Sequence, residues 1–89
     1  MKIKLELFGA SRDFCNNDHL EIEVQNKASI DDLRNEIIKY IDKYFKGNEN
    51  FIKVVKSSAF CSENNEIISD NYKITKNQKI GIIPPIGGG

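Results

Sequence analysis

The stretch from Ser29 to Gly47 decides the fold and reads SIDDLRNEIIKYIDKYFKG. Its apolar residues recur every three or four positions, the spacing that places them on one face of a helix: Ile30, Leu33, Ile37, Ile41 and Tyr44 or Phe45. The sequence therefore predicts one amphipathic helix from about Ile30 to Lys46. Such a helix is stable only if another layer of the domain covers its apolar face.

The two ends of this helix carry residues that helices favour there. Ser29 can accept hydrogen bonds from the free amide groups of the first turn, and Asp31 and Asp32 are favourable at the positive end of the helix dipole. Gly47 is placed to end the helix, because glycine readily adopts the left-handed conformation of a C-terminal cap.

Two segments before the helix alternate between apolar and polar residues, as half-buried strands do. They are Lys2 to Phe8 and His19 to Val24, and the polar stretch from Gly9 to Asp18 joins them. We predict a hairpin with a long, mobile loop. Its buried face would carry Ile3, Leu5, Leu7, Leu20, Ile22 and Val24.

Short elements are predicted after the helix. Phe51 to Glu63 contains a strand of uncertain start, Asn64-Asn65 makes a turn, and Glu66 to Ser69 pairs back as a short strand. Tyr72 to Ile74 is expected to form a single helical turn. The strand-like run from Lys79 to Ile83 is the last strand.

A hairpin, a helix and two or three further strands define an α+β fold in which one sheet packs on one main helix. The first and last strands can pair in parallel, since the intervening elements provide the crossover. We therefore predict the β-grasp fold seen in ubiquitin, with a mixed sheet of four to five strands. The domain should occupy residues 1–83 and be followed by an extended tail over 84–89.

The printed sequence ends in PPIGGG. Pro84 cannot donate an amide hydrogen to a neighbouring strand, and with Pro85 it favours a stiff, extended exit from the domain. Gly87 and Gly88 have no side chain, so a narrow channel of a partner could close around their backbone. We expect the terminal carboxylate of Gly89 to be the working group; an inert, frayed end is the alternative.

Composition narrows the possible functions. The 89 residues fit one small domain, and 13 basic residues balance 13 acidic residues without forming blocks, which argues against a nucleic-acid or membrane partner. The sequence shows no secretory signal and no membrane span, so a cytoplasmic location is expected. Cys15 and Cys61 lack the spacing of a redox pair or a zinc site and are expected to be buried, reduced thiols.

With this order of elements and this ending, the chain resembles the small subunit of molybdopterin synthase, a ubiquitin-like sulfur carrier. The resemblance rests on the opening strand that runs into Phe8-Gly9-Ala10, on the helix start Ser29 to Leu33, and on Asn64 before the fourth strand. Its most specific part is the Pro-Pro-x-x-Gly-Gly end. The sequence departs from the family at Ser62-Glu63, where a small apolar pair is usual, and at Gly87, where a small polar residue is commoner.

The resemblance implies a non-catalytic carrier. In that family the terminal glycine carboxylate, here that of Gly89, is adenylated by an E1-like adenylyltransferase that uses ATP. A sulfurtransferase or another persulfide donor then supplies sulfur, which makes a thiocarboxylate. The tail enters the large subunit of molybdopterin synthase, where sulfur passes to a pyranopterin precursor during molybdenum cofactor biosynthesis. No metal or cofactor bound by this chain is expected, and His19 is expected to be a surface residue.

Threading the tail orders several glycines, at a cost of about 1 to 2 kcal/mol of backbone entropy for each, so a docked surface must compensate. The sheet face away from the helix is the candidate, because Phe8 and Ile83 are out of phase with their core neighbours and Ile67 and Ile68 cannot share a face. By resemblance, Phe8, Ile67 and Ile83 correspond to apolar positions at the family's subunit interface. The alternative is that one or more of them packs under a loop.

Three other functions remain open. A sulfur carrier for thiamine or tRNA thiolation would form the same adenylate and thiocarboxylate but deliver sulfur elsewhere. A ubiquitin-like protein modifier would use the activated carboxylate to form isopeptide bonds with lysines. An interaction domain with an inert tail would use neither.

Overall fold

The protein consists of a mixed sheet covered on one face by a long helix, and the computed structural model describes residues 1–17 and 19–85 of it. No helix among these residues is long and apolar enough to span a membrane. In chain order, the elements are β1 (Lys2–Leu7), a 3₁₀ helix (Gly9–Phe14), β2 (His19–Glu23), β3 (Ala28–Ser29), α1 (Ile30–Phe45), α2 (Glu49–Ser57), β4 (Ala59–Cys61), β5 (Ile67–Ile68), β6 (Lys73–Ile74) and β7 (Gln78–Ile83).

The main sheet has the strand order β2-β1-β7-β4-β5. The central strands β1 and β7 pair in parallel, with Leu5 opposite Ile80, whereas the other neighbours pair antiparallel. The predicted parallel pairing of the first and last strands is therefore confirmed. Since this mixed sheet packs on one main helix, the predicted β-grasp fold is confirmed as well.

Helix α1 begins as predicted. The Ser29 hydroxyl oxygen accepts a hydrogen bond from the Asp32 amide at 3.1 Å, and the Asp32 carboxylate accepts one from the Ser29 amide at 2.9 Å. The helix ends one residue earlier than predicted, because Lys46 already adopts the left-handed conformation (φ 53°) and Gly47 follows it (φ 68°).

The core lies between α1 and the inner face of the sheet. Burying each aliphatic side chain there contributes about 1.5–3 kcal/mol relative to leaving it in water. Tyr44 stays exposed and Phe45 is half-buried, so the predicted apolar stripe of α1 is fully buried only as far as Ile41. The fully buried core residues include Ile3, Leu5, Phe14, Ile30, Leu33, Ile37, Ile41, Val55, Ile74, Ile80 and Ile82.

The segment from Phe51 to Glu63 contains a strand as predicted, but the strand is short (Ala59–Cys61) and starts late, because the helix α2, which was not predicted, occupies Glu49–Ser57. The Asn48 side chain starts α2 by accepting hydrogen bonds from the amides of the second and third residues after it, at 3.0 and 3.2 Å. The β-branched residues of this segment favour strands locally. Here the N-cap and the burial of Val55 outweigh that preference.

Arg34, on α1, caps the C-terminal end of α2. Its guanidinium donates hydrogen bonds to three backbone carbonyl oxygens at that end: those of Val55 at 2.7 Å, Lys56 at 3.3 Å and Ser58 at 2.9 Å. It also binds the Asp70 carboxylate at 2.6 Å. A cation at a helix C-terminus satisfies carbonyls that have no partner within the helix and complements the helix dipole.

Four further predictions differ from the structure. Tyr72 to Ile74 is not a helical turn, since Lys73–Ile74 forms β6 and pairs with β3 in a separate two-stranded sheet. The loop after β1 is not wholly irregular, because Gly9–Phe14 forms the 3₁₀ helix. The strand predicted over Glu66 to Ser69 contains only Ile67–Ile68, and the last strand starts at Gln78.

Candidate functional site

The sheet face away from α1, here called the outer face, carries the three apolar residues predicted to meet a partner. Phe8 is 40% exposed, Ile67 is 67% exposed and Ile83 is half-buried. Ile67 lies opposite Cys61 on the outer face, whereas Ile68 lies opposite the core residue Phe60. The structure thus places all three residues on one face, and their contact with a partner stays a prediction.

The Phe8 ring packs on this face against Gly81, a glycine in the middle of β7. A Cβ atom added to Gly81 would lie 2.7 Å from the sulfur of Cys61 and 2.9 Å from the Phe8 ring. The strand can therefore accommodate the ring and the thiol only because position 81 has no side chain. Gly81 and Cys61 were missed as parts of this surface, although a glycine inside a strand is a signal of close approach.

The tail leaves the domain beside the start of the 3₁₀ helix. Pro84 is buried and Pro85 is exposed. A Cβ atom on Gly9 would lie 3.8 Å from Cδ of Pro84, so the backbone of Gly9 faces the proline ring. The predictions for Gly87, Gly88 and Gly89 lie outside the described residues, together with Ile86.

The far end of the 3₁₀ helix is fixed by aromatic contacts. The Phe14 ring is fully buried, and its centroid lies 5.1 Å from the ring centroid of Phe51 on α2. The Phe14 carbonyl accepts a hydrogen bond from the Tyr40 hydroxyl at 2.8 Å. Burial raises the pKa of Tyr40, and negative charge on Cys15 raises it further. The Tyr40 hydroxyl therefore keeps its proton at neutral pH and remains a donor.

The departure from the family pattern at Ser62-Glu63 has a structural role. The Ser62 hydroxyl accepts hydrogen bonds from the amides of Asn64 and Glu66 in the turn between β4 and β5. The Glu63 carboxylate accepts one from the Lys79 amide of β7 at 2.9 Å. These polar side chains thus supply hydrogen bonds beyond the end of β4. The predicted turn at Asn64-Asn65 is present.

Reactive side chains on the described part of the domain are scattered. Within residues 1–17 and 19–85, no three His, Cys, Asp or Glu side chains are grouped so that they could hold a metal ion. His19 lies half-buried at one end of β2, and Cys61 is buried as predicted. Cys15 is only half-buried, and both cysteines are free thiols.

A β-grasp sheet whose central strand runs into a Pro-Pro segment defines a ubiquitin-like protein. The ThiS family matches residues 5–89, and the chain belongs to this family. It is thus a ubiquitin-like protein of the sulfur-carrier type, and the resemblance drawn from the sequence is confirmed.

Several solved structures share the fold. A protein from Pyrococcus furiosus described as molybdopterin converting factor subunit 1 is 23% identical, with a TM-score of 0.69 over 96% of this chain and 98% of that one. Small archaeal modifier protein 1 from Haloferax volcanii is 11% identical, with a TM-score of 0.66 over 96% and 98%. A Caldiarchaeum subterraneum ubiquitin is 19% identical, with a TM-score of 0.61 over 100% and 98%. No curated protein matches the chain by sequence.

Proposed function

We propose that this protein carries sulfur on the carboxyl group of Gly89 for molybdenum cofactor biosynthesis. One observation carries the proposal: the central strand β7 runs directly into the two prolines, of which Pro84 is held by the domain and Pro85 is exposed. Membership of the ThiS family supports the carrier role. The Pro-Pro spacer and the long helix α1 favour molybdopterin synthase over the alternative destinations.

The reaction needs activation, because an ionised carboxylate, with a terminal pKa of about 3.5, resists nucleophilic attack. A Gly89 carboxylate oxygen attacks the α-phosphorus of ATP on an E1-like adenylyltransferase, and pyrophosphate leaves. The outer sulfur of a persulfide donor then attacks the carbonyl carbon and AMP leaves, which gives an acyl disulfide. A second thiol attacks the donor's sulfur, so that a new disulfide forms and the thiocarboxylate is released.

The partners supply the catalysis, and this chain supplies the carrier group and the docking surface. The apolar outer face, with Phe8, Ile67 and Ile83, would dock on the large subunit of molybdopterin synthase and offset the entropy lost when the glycines are ordered. The chain itself would need no bound cofactor, since ATP belongs to the activating enzyme. We place these steps in the cytoplasm.

The test is the intact mass of the full chain after incubation with an E1-like adenylyltransferase, ATP and a persulfide donor. The expected result is a mass increase equal to the exchange of one oxygen for sulfur, located at Gly89 by fragmentation. A chain that ends at Gly87 is the control and should stay unchanged. An unchanged wild-type mass beside an authentic carrier that is loaded would refute the proposal.

The destination of the sulfur needs a second measurement. The loaded chain should form a stable complex with the large subunit of molybdopterin synthase and lose its sulfur when the pyranopterin precursor is added. A stable complex with a thiazole synthase instead would assign the chain to thiamine. Thiol-resistant conjugates on lysines in cells, without sulfur transfer, would assign it to protein modification.

A further inference from the structure

We propose that the turn from Phe8 to Ser11, here called the exit turn, is a positioning element that fixes the direction in which the tail leaves the domain. It would thereby set where the Gly89 carboxylate lies when a partner activates it. This inference rests on the proposed function, because it concerns the same reaction. The exit turn itself contributes no reacting group.

The exit turn is held in one conformation by its own hydrogen bonds. The Phe8 carbonyl accepts one from the Ser11 amide at 3.1 Å and a second from the Ser11 hydroxyl at 2.6 Å. Ser11 is fully buried, so both of its donors are shielded from water. Between them Gly9 has φ +55°, a conformation that side-chain-bearing residues rarely adopt.

The exit turn lies beside the first residue of the tail. The backbone of Gly9 faces the Pro84 ring, since an added Cβ atom would lie 3.8 and 3.9 Å from its Cδ and Cγ. The pyrrolidine ring fixes the φ angle of its own residue. Holding the ring therefore also fixes the path of the chain into Pro85, the first exposed residue after β7.

The same turn also holds β7 just before the exit. Its first residue, Phe8, lays its ring across Gly81 on the outer face. Beyond the turn, the 3₁₀ helix is anchored by the buried Phe14 ring against Phe51. The end of β7 thus has Phe8 on its outer face and Gly9 beside its exit, and both residues belong to one anchored segment.

A fixed exit has a kinetic consequence. Glycines sample a wide range of conformations, so the carboxylate of a tail with an undefined start would spend little time at the partner's active site. A fixed start gives the tail one direction of approach to the partner's active site. A misplacement of about 1 Å at a reacting group can lower the rate about 100-fold. The exit turn should therefore affect turnover more than docking, which the outer face provides.

The experiment compares Gly9→Ala with Gly47→Ala in the full chain. Both glycines have positive φ (+55° and +68°), so alanine strains the backbone at both positions, but only Gly9 faces Pro84. Adenylation by the E1-like partner is followed as pyrophosphate release at varied carrier concentration. We expect Gly9→Ala to lower kcat about 10-fold to 100-fold while KM for the carrier stays within about twofold. Gly47→Ala should leave kcat and KM unchanged.

A second variant, Ser11→Ala, removes the hydroxyl donor. It leaves in place the hydrogen bond that the backbone amide of residue 11 donates to the Phe8 carbonyl. It should also lower kcat, but by a smaller factor than Gly9→Ala does. The melting temperature of each variant reports its stability. If Gly9→Ala does not fold, Ser11→Ala decides the question. Equal kcat for a folded exit-turn variant and wild type, or a raised KM with unchanged kcat, would overturn this inference alone. Failure of the wild-type chain to be adenylated would instead overturn the proposed function.

Discussion

At the scale of single residues, the outer face depends on an absent side chain. Alanine at position 81 would place its Cβ atom within 3 Å of both the Cys61 sulfur and the Phe8 ring. Alanine in a strand is normally favoured over glycine by about 0.5–1 kcal/mol. Overpacking costs about 1–3 kcal/mol, so it outweighs this preference.

We therefore expect Gly81→Ala to lower the free energy of unfolding by about 1–2 kcal/mol, measured by urea denaturation. The double variant Gly81→Ala/Cys61→Ala should recover part of the loss, because it removes the nearer of the two contacts. Cys61→Ala alone is the control. A Gly81→Ala chain as stable as wild type would show that the ring and the thiol move apart without cost.

Arg34 is a second residue with a large expected effect. Replacement by alanine removes the guanidinium donor from the carbonyls at the end of α2, of which that of Val55 still accepts from the Ser58 amide at 3.3 Å. It also removes a cation that lies 4.9 Å from the Phe60 ring centroid. We expect a loss of about 2–3 kcal/mol in the free energy of unfolding. Asp70→Ala, which removes only the exposed partner, should cost less than about 1 kcal/mol. Similar losses for the two variants would assign the effect to the ion pair instead.

At the scale of elements, the start of α1 should respond to acid. The hydrogen bond from the Ser29 amide, and to a smaller extent that from the Ser29 hydroxyl, lowers the pKa of the Asp32 carboxyl below its ordinary value of 3.8. Because the folded state favours the charged carboxylate, its contribution to stability is complete above that value and is lost as the pH falls through the lowered pKa.

The variant Asp32→Asn tests this linkage, since its side chain does not titrate. The stability advantage of wild type over Asp32→Asn, measured by chemical denaturation, should shrink between about pH 5 and about pH 2. Asp42→Asn, at an exposed position farther along α1, controls for the general effect of acid. An advantage that is constant with pH would mean that the charge of Asp32 does not contribute to the cap.

The elements that sequence analysis predicted correctly are those with a local signal. Helix α1 has both a periodic stripe and its caps, and β1 and β2 alternate regularly. The α2 segment instead carries β-branched residues, and its cap at Asn48 was the overlooked signal. The pairing of Lys73 with Ser29 joins segments far apart in sequence, so no local pattern marks it. The same holds for the position of Gly9 beside Pro84, which only the folded chain creates.

At the scale of the whole molecule, the outer face should bind the proposed synthase partner, and the exposed side of α1 should not. Ile67→Glu places a charge on the outer face at a residue that is 67% exposed, so folding should change little. An apolar interface would have to desolvate that charge. We expect the dissociation constant for the large subunit of molybdopterin synthase, measured by calorimetry, to rise at least about tenfold.

The matched control is Tyr44→Glu, which places the same charge on α1 at an apolar residue that is 61% exposed. It should bind the large subunit as wild type does. If Tyr44→Glu weakened the complex as much as Ile67→Glu, the docking surface would not be the outer face.

The position of β7 between β1 and β4 also determines how the domain responds to mechanical force. A pull along the tail acts on a strand that is hydrogen-bonded on both sides, so it loads two ladders in shear at once. Such a strand is harder to peel away than one at a sheet edge. The domain should therefore withstand traction on its tail. If a partner grips the tail as proposed, withdrawing it should not unravel the sheet.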